Sequence, residues 1–165
     1  MIVSMLCREL KPTTKSEQRE AVSLVSELVV NQVVSIIDQA VNQYYRLVVI
    51  AAPSGSGKTA VLQQAAHRLG CPYINVNLEL SRRLLDLTAR QRILQTPQLL
   101  RDVLSETDSG IVLLDNIEML FDPSLKQDPL KLIQGISRNM TVVVAWNGVA
   151  ENDFLTYAVP GHPEY

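Results

Sequence analysis

Apolar positions follow two different rhythms along this chain. From residue 17 to residue 45, Val22, Val25, Val29, Val33, Ile36, Ile37, Ala40 and Val41 recur at roughly helical spacing, and Gln18, Glu20, Glu27, Asn31, Gln32, Asp38 and Gln39 fall between them. The valines would permit a strand, but the polar residues interrupt with a helical rather than an alternating period, which predicts one long helix or two short ones. Thr13 or Thr14 is a candidate cap for a start near Lys15. Later apolar runs are continuous instead: residues 47–50, 72–76, 111–118 and 141–146. A strand buried on both faces of a parallel sheet reads this way. Between these runs, helices are expected at about 58–69, 81–92, 96–105 (with Thr96-Pro97 as a start signal) and 130–138. Gly70 and the turn Asp108-Ser-Gly110 close elements, and residues 154–158 read as a short fifth strand.

This alternation predicts an α/β fold: a parallel sheet of about five strands with flanking helices. Residues 1–165 are expected to form a single domain, with 1–45 as an N-terminal helical extension packed on it. With 165 residues, 47% of them hydrophobic, the chain suffices for one core and is too short for two. A net charge of −2 gives no overall basic footprint for nucleic acid. Cys7 and Cys71 match no metal spacing and imply no disulfide framework, and no stretch has the length of a membrane span. A cytoplasmic protein is expected.

One stretch changes the picture. Ala52-Pro-Ser-Gly-Ser-Gly-Lys-Thr59 follows the first continuous run and opens a predicted helix, the setting of a phosphate-binding loop. Gly55 and Gly57 let backbone NH groups turn inward onto phosphate oxygens, with Pro53, Ser54 and Ser56 completing the cradle. Lys58 adds a point charge for the β- and γ-phosphates, and the Thr59 hydroxyl is a candidate ligand for Mg²⁺. Ala52 departs from the pattern, which wants glycine. At a strand end a small residue is expected to suffice.

The run from Ile111 ends in Asp115, with Asn116 and Glu118 beyond it. An acid at the carboxyl end of a buried parallel strand emerges beside such a loop, so Asp115 is expected to share the metal with Thr59. The next run ends in Trp146, read as core, and Asn147, placed to orient a water or contact a γ-phosphate; asparagine before glycine is also a plain turn signal. Arg82, Arg83, Arg90, Arg92 and Arg101 have only Asp86 between the first and the last. They read as a basic face for DNA, RNA or a neighbouring subunit, or as a solvated helix surface, since no aromatic residue interleaves them for base stacking. His162 reads as surface.

In this order, the loop at 52–59, the acidic strand end and the strand with Asn147 resemble the AAA+ division of P-loop ATPases. The stretch from Asn75 through Asn77, Glu79 and Arg82-Arg83, the Leu-Asp-Asn-Ile-Glu-Met-Leu-Phe segment and the Gly-His-Pro-Glu-Tyr end look more closely like the BrxF family, small P-loop proteins of type 3 BREX phage-defence systems. The resemblance implies ATP and Mg²⁺ as cofactors, other phage-defence proteins as partners, and an arginine supplied by a neighbouring subunit. Arg138 is a candidate for it, or a solvated helix end. AAA+ cores carry a C-terminal helical lid, for which a chain ending at Tyr165 leaves no room, so a homo-oligomer is expected to complete the site. AAA+ enzymes also place a glutamate directly after the strand-end aspartate, where this chain has Asn116. Either Glu118 polarises the water or hydrolysis is slow and the nucleotide acts as a conformational signal. The readings left open are therefore an oligomeric ATPase, a nucleotide-gated interaction or DNA-binding module, and a small-molecule kinase.

Overall fold

The computed structural model describes residues 2–4, 15–151 and 154–157, with side chains from residue 27 onward. Cys7, Thr13, Thr14, Ala158 and His162 lie outside the described residues. The helical run of the first part is one helix, α1 (Lys15–Ala40). Among its described side chains, Val30, Val33, Ile37 and Ala40 are buried, three to four residues apart as one helix face demands.

The continuous runs become β2 (Leu47–Ala52), β3 (Tyr73–Asn75), β4 (Ile111–Asp115) and β5 (Thr141–Asn147). Together with β1 (Ile2–Ser4) they form one parallel sheet in the order β1-β2-β5-β4-β3. The α/β class and the five strands are as expected, but the fifth strand is not. Phe154–Leu155 (β7) pairs antiparallel with Ala150–Glu151 (β6) in a separate two-stranded ribbon, and β1 takes the outer place beside β2. Residues 1–45 therefore contribute a strand as well as a helix. Three residues are too few to display either period, so β1 carried no strand signal.

Successive residues of each central strand feed opposite layers. Val48, Ile50, Leu113, Val143 and Ala145 pack with α1 and with α2 (Lys58–Leu69). Val49, Ala51, Val112, Leu114, Val142 and Val144 pack on the other face with α3 (Val76–Leu84), α4 (Ala89–Ser105) and α5 (Pro129–Ile136). The chain skips two sheet positions from β2 to β3 and then returns through β4 and β5. In such a sheet the crevice for ligands opens at the carboxyl ends of the strands, where that reversal occurs.

The expected helices at 81–92 and 96–105 require correction. The break falls at residues 85–88. Thr88 caps α4 with a reciprocal pair of bonds to Gln91, and Pro97 lies inside the helix. A proline there leaves the carbonyl four residues earlier without its NH partner. That carbonyl, of Ile93, accepts instead from the Gln127 side chain at 2.9 Å, so the helix continues through Pro97. Thr96 Oγ1 donates to the Arg92 carbonyl at 2.6 Å in the same turn.

Candidate nucleotide site

β2 ends at Ala52, and the chain then turns through Gly55 (φ 79°) and Gly57 (φ 86°) into α2. Both angles lie in the left-handed region that favours glycine. No side chain caps the first turn of α2, so its NH groups remain for a ligand. Lys58 is buried, and its ammonium donates to the carbonyls of Ala52 (2.8 Å) and Pro53 (2.7 Å) and to Ser56 Oγ (3.4 Å). Burial lowers its pKa, and the charges of Asp115 and Glu118 act the other way. The contact to Ala52 runs through the backbone carbonyl, for which alanine serves as well as glycine.

At the end of β4, Asp115 is 4% exposed. Its Oδ1 accepts from the Asn116 NH (2.9 Å) and its Oδ2 from the Tyr73 hydroxyl (2.7 Å). Asn116 has φ 51°. Asparagine tolerates that left-handed conformation better than glutamate does, which gives a backbone reason for Asn116 directly after the aspartate. The turn it makes brings Glu118 round to the cleft. There Glu118 Oε2 accepts from Asn77 Nδ2 at 2.8 Å and Oε1 accepts from Asn147 Nδ2 at the end of β5.

Ser54, Gly55, Gly57, Lys58, Thr59, Gln63, Asp115, Asn116, Glu118 and Asn147 all line one cleft of about 450 Å³. Of the residues singled out by sequence for phosphate, metal and water, all but Pro53 and Ser56 line this cleft, and those two accept from the Lys58 ammonium beside it. Arg138 does not join them within the chain. It precedes β5 at the opposite edge of the sheet, its guanidinium 5.4 and 5.3 Å from the ring centres of Tyr44 and Tyr45 and bonded to the Tyr45 hydroxyl. The arginines of α3 and α4 also lie away from the cleft. Arg83 pairs with Glu106 at 2.8 Å, Arg82 sits 3.4 Å from Glu79, and Arg92 donates to the carbonyls of Leu85 and Leu87.

Sequence reasoning gave no role to Tyr73, Asn77 or Gln63. Tyr73 opens β3 and Asn77 lies two residues beyond its end, and both act across the pairing of β3 with β4, which no local pattern in the sequence states.

The donor set fits Mg²⁺. Thr59 and Asp115 offer hard oxygen ligands on one cleft, and Mg²⁺ completes an octahedron with phosphate oxygens and water rather than with a protein cage. Among the described residues no group of three or more His, Cys, Asp or Glu side chains is placed to hold a metal ion.

A glycine-rich loop closing a parallel strand onto a helix, with an acid at the end of another strand in the same cleft, defines a P-loop nucleotide-binding protein. Residues 48–149 match the model of the ATPase family associated with various cellular activities (AAA), and the chain belongs to that family. No curated protein matches the chain. A solved structure, that of C. elegans PCH-2, is similar at 18% identity and a TM-score of 0.46; the match covers 78% of this chain and 38% of that one. Among the described residues, no helix is long and apolar enough to cross a membrane.

Proposed function

We propose that this chain is a cytoplasmic Mg²⁺-dependent ATPase that works as a homo-oligomer in a phage-defence assembly of the BREX type. The observation that carries the ATPase reading is the convergence of Lys58, Thr59, Asp115, Glu118 and Asn147 on one cleft. The loop NH groups and Lys58 bind the phosphates of ATP, and Thr59 and Asp115 would hold Mg²⁺, which would supply charge neutralisation on the phosphates. Glu118, fixed by two asparagine amides, accepts the proton of the attacking water, and Asn147 orients that water or the γ-phosphate.

Oligomerisation is supported by charge. Lys58 is the only cation among the described residues that line the cleft. Phosphoryl transfer gains from a further cation beside Lys58 and the metal, here one supplied by a neighbouring subunit, with Arg138 as the candidate. The defence role rests on the sequence resemblance to the BrxF family. The test is the hydrolysis rate per protomer as protein concentration rises, with Mg²⁺ present and Lys58→Ala as background. A rate above background that climbs with concentration is expected; a rate that stays at background at every concentration overturns the self-sufficient ATPase.

The second reading is a nucleotide-gated interaction or DNA-binding module with little turnover. Asn116 in the usual position of the base, and a Glu118 carboxylate already accepting a bond at each oxygen, favour it. DNA would then meet Arg82, Arg83, Arg90 and Arg92. A Glu118→Gln variant that hydrolyses ATP as fast as the wild type removes the base assignment. The kinase reading lacks the arginine-lined acceptor site it requires among the described residues.

A further inference from the structure

The Tyr73 hydroxyl lies 2.7 Å from Asp115 Oδ2. It reaches there from two positions down the neighbouring strand, since Asn75 is the residue paired with Asp115 and Tyr73 pairs with Leu113. Both strands have a period of two, so Tyr73 and Asp115 stand on the same face of the sheet, the face covered by α2. Gln63, on α2, lines the cleft beside Asp115.

The remaining constraint on Asp115 is the Asn116 NH at Oδ1. Each carboxylate oxygen has two acceptor sites, so one bond at each oxygen leaves one site on each. Those two sites lie in a plane that the pair of donors fixes. Without the hydroxyl, Oδ2 is free to rotate about the Asn116 bond, and the carboxylate must be ordered at the moment the metal binds.

We propose that Tyr73 is a positioning residue for Mg²⁺, holding the Asp115 carboxylate in the orientation that the metal and its water shell require. The proposal rests on the reading of the cleft as an Mg²⁺-ATP site. Loss of partners that orient metal ligands costs on the order of 10- to 100-fold in metal affinity.

The experiment separates metal from nucleotide. Binding of a fluorescent ATP analogue is measured first in excess EDTA and then at rising Mg²⁺, for the wild type and Tyr73→Phe. Direct Mn²⁺ binding to the nucleotide complex is followed by electron paramagnetic resonance. In Tyr73→Phe the Mg²⁺ midpoint is expected to rise about 10-fold and Mn²⁺ binding to weaken in parallel, at the low end of the range above. Affinity in EDTA stays within about twofold and the melting temperature stays close to that of the wild type, which a general loss of structure would not allow. A Tyr73→Phe protein with an unchanged Mg²⁺ midpoint overturns the proposal. If Tyr73→Phe melts early, the midpoint is read at a temperature well below its transition, where an unchanged value overturns it equally. A wild type that binds no nucleotide with or without Mg²⁺ overturns the site itself, which is a different result.

Discussion

Asn77 grips Glu118 and the turn that carries it at three points. Its Nδ2 donates to Glu118 Oε2, its Oδ1 accepts from the Met119 NH, and its own NH donates to the Asn116 carbonyl, each at 2.8 Å. A single residue at the start of α3 therefore fixes both the carboxylate and the backbone around it. Asn77→Ala removes the two side-chain bonds and leaves the third. Hydrogen bonds to a charged group contribute about 1.5–3 kcal/mol each, so turnover is expected to fall at least about tenfold. ATP affinity should stay within a few-fold, because Asn77 does not line the cleft. Steady-state kinetics and a fluorescence titration on one preparation check the two halves of this expectation.

The bond from Gln127 to the Ile93 carbonyl gives a second prediction. Gln127→Leu leaves that carbonyl unpartnered, because Pro97 has no NH to offer, and the expected loss is about 1–3 kcal/mol of stability. Placing Pro97→Ala in the same chain restores the helical donor. The double variant should therefore recover part of the loss, with a coupling of about 1 kcal/mol in a denaturant cycle. Strict additivity would show that Gln127 does not substitute for the missing NH.

Gly148 sits under the segment that follows β6. A Cβ at this position would lie 1.8 Å from the Thr156 carbonyl oxygen, which also accepts from Trp146 Nε1 at 2.9 Å. Gly148→Ala must push that segment away, breaking the indole bond and the stacking of Tyr157 on Phe121. The chain has one tryptophan. Its emission is expected to shift to the red while the far-ultraviolet spectrum, set by the main sheet and helices, stays unchanged.

Asp128 caps α5, accepting from the Lys131 NH at 3.0 Å, and its pKa is lowered first by that bond and then by the Lys131 side chain. A carboxylate with a folded pKa below its unfolded value adds stability that is complete above the unfolded value and is lost as pH falls through the folded one. Asp128→Asn keeps a cap without the charge. Its melting temperature should therefore vary less than that of the wild type below about pH 4, near the ordinary aspartate value. Asp128→Ala is expected to cost about 1 kcal/mol at neutral pH.

The sheet and the phosphate loop were legible because burial on both faces writes continuous apolar runs, and because the loop's glycines and lysine serve backbone geometry and charge that few other residues supply. Asp115 and Asn147 were legible for the same reason, each being the first polar residue after a buried run. Tyr73 and Asn77 were not. Their role depends on β3 lying next to β4, a pairing between segments about 40 residues apart that no local pattern states. The break between α3 and α4 was misplaced because Thr96-Pro97 looks like a helix start, and only Gln127, 30 residues later, makes a proline tolerable in mid-helix.

Tyr73 and Asn77 bound a five-residue stretch that covers the whole of β3 and the first residues of α3, and between them they support both acids of the cleft. β3 is three residues long and sits at the margin of the sheet, paired on one side only. Were this short margin to slide by one residue, the tyrosine would turn to the other face. Asp115 would keep only the Asn116 NH and Glu118 only the Asn147 amide, each losing its other partner in the same event. Single substitutions at either end remove one support and leave the other, whereas a shift of the strand itself would take both away together.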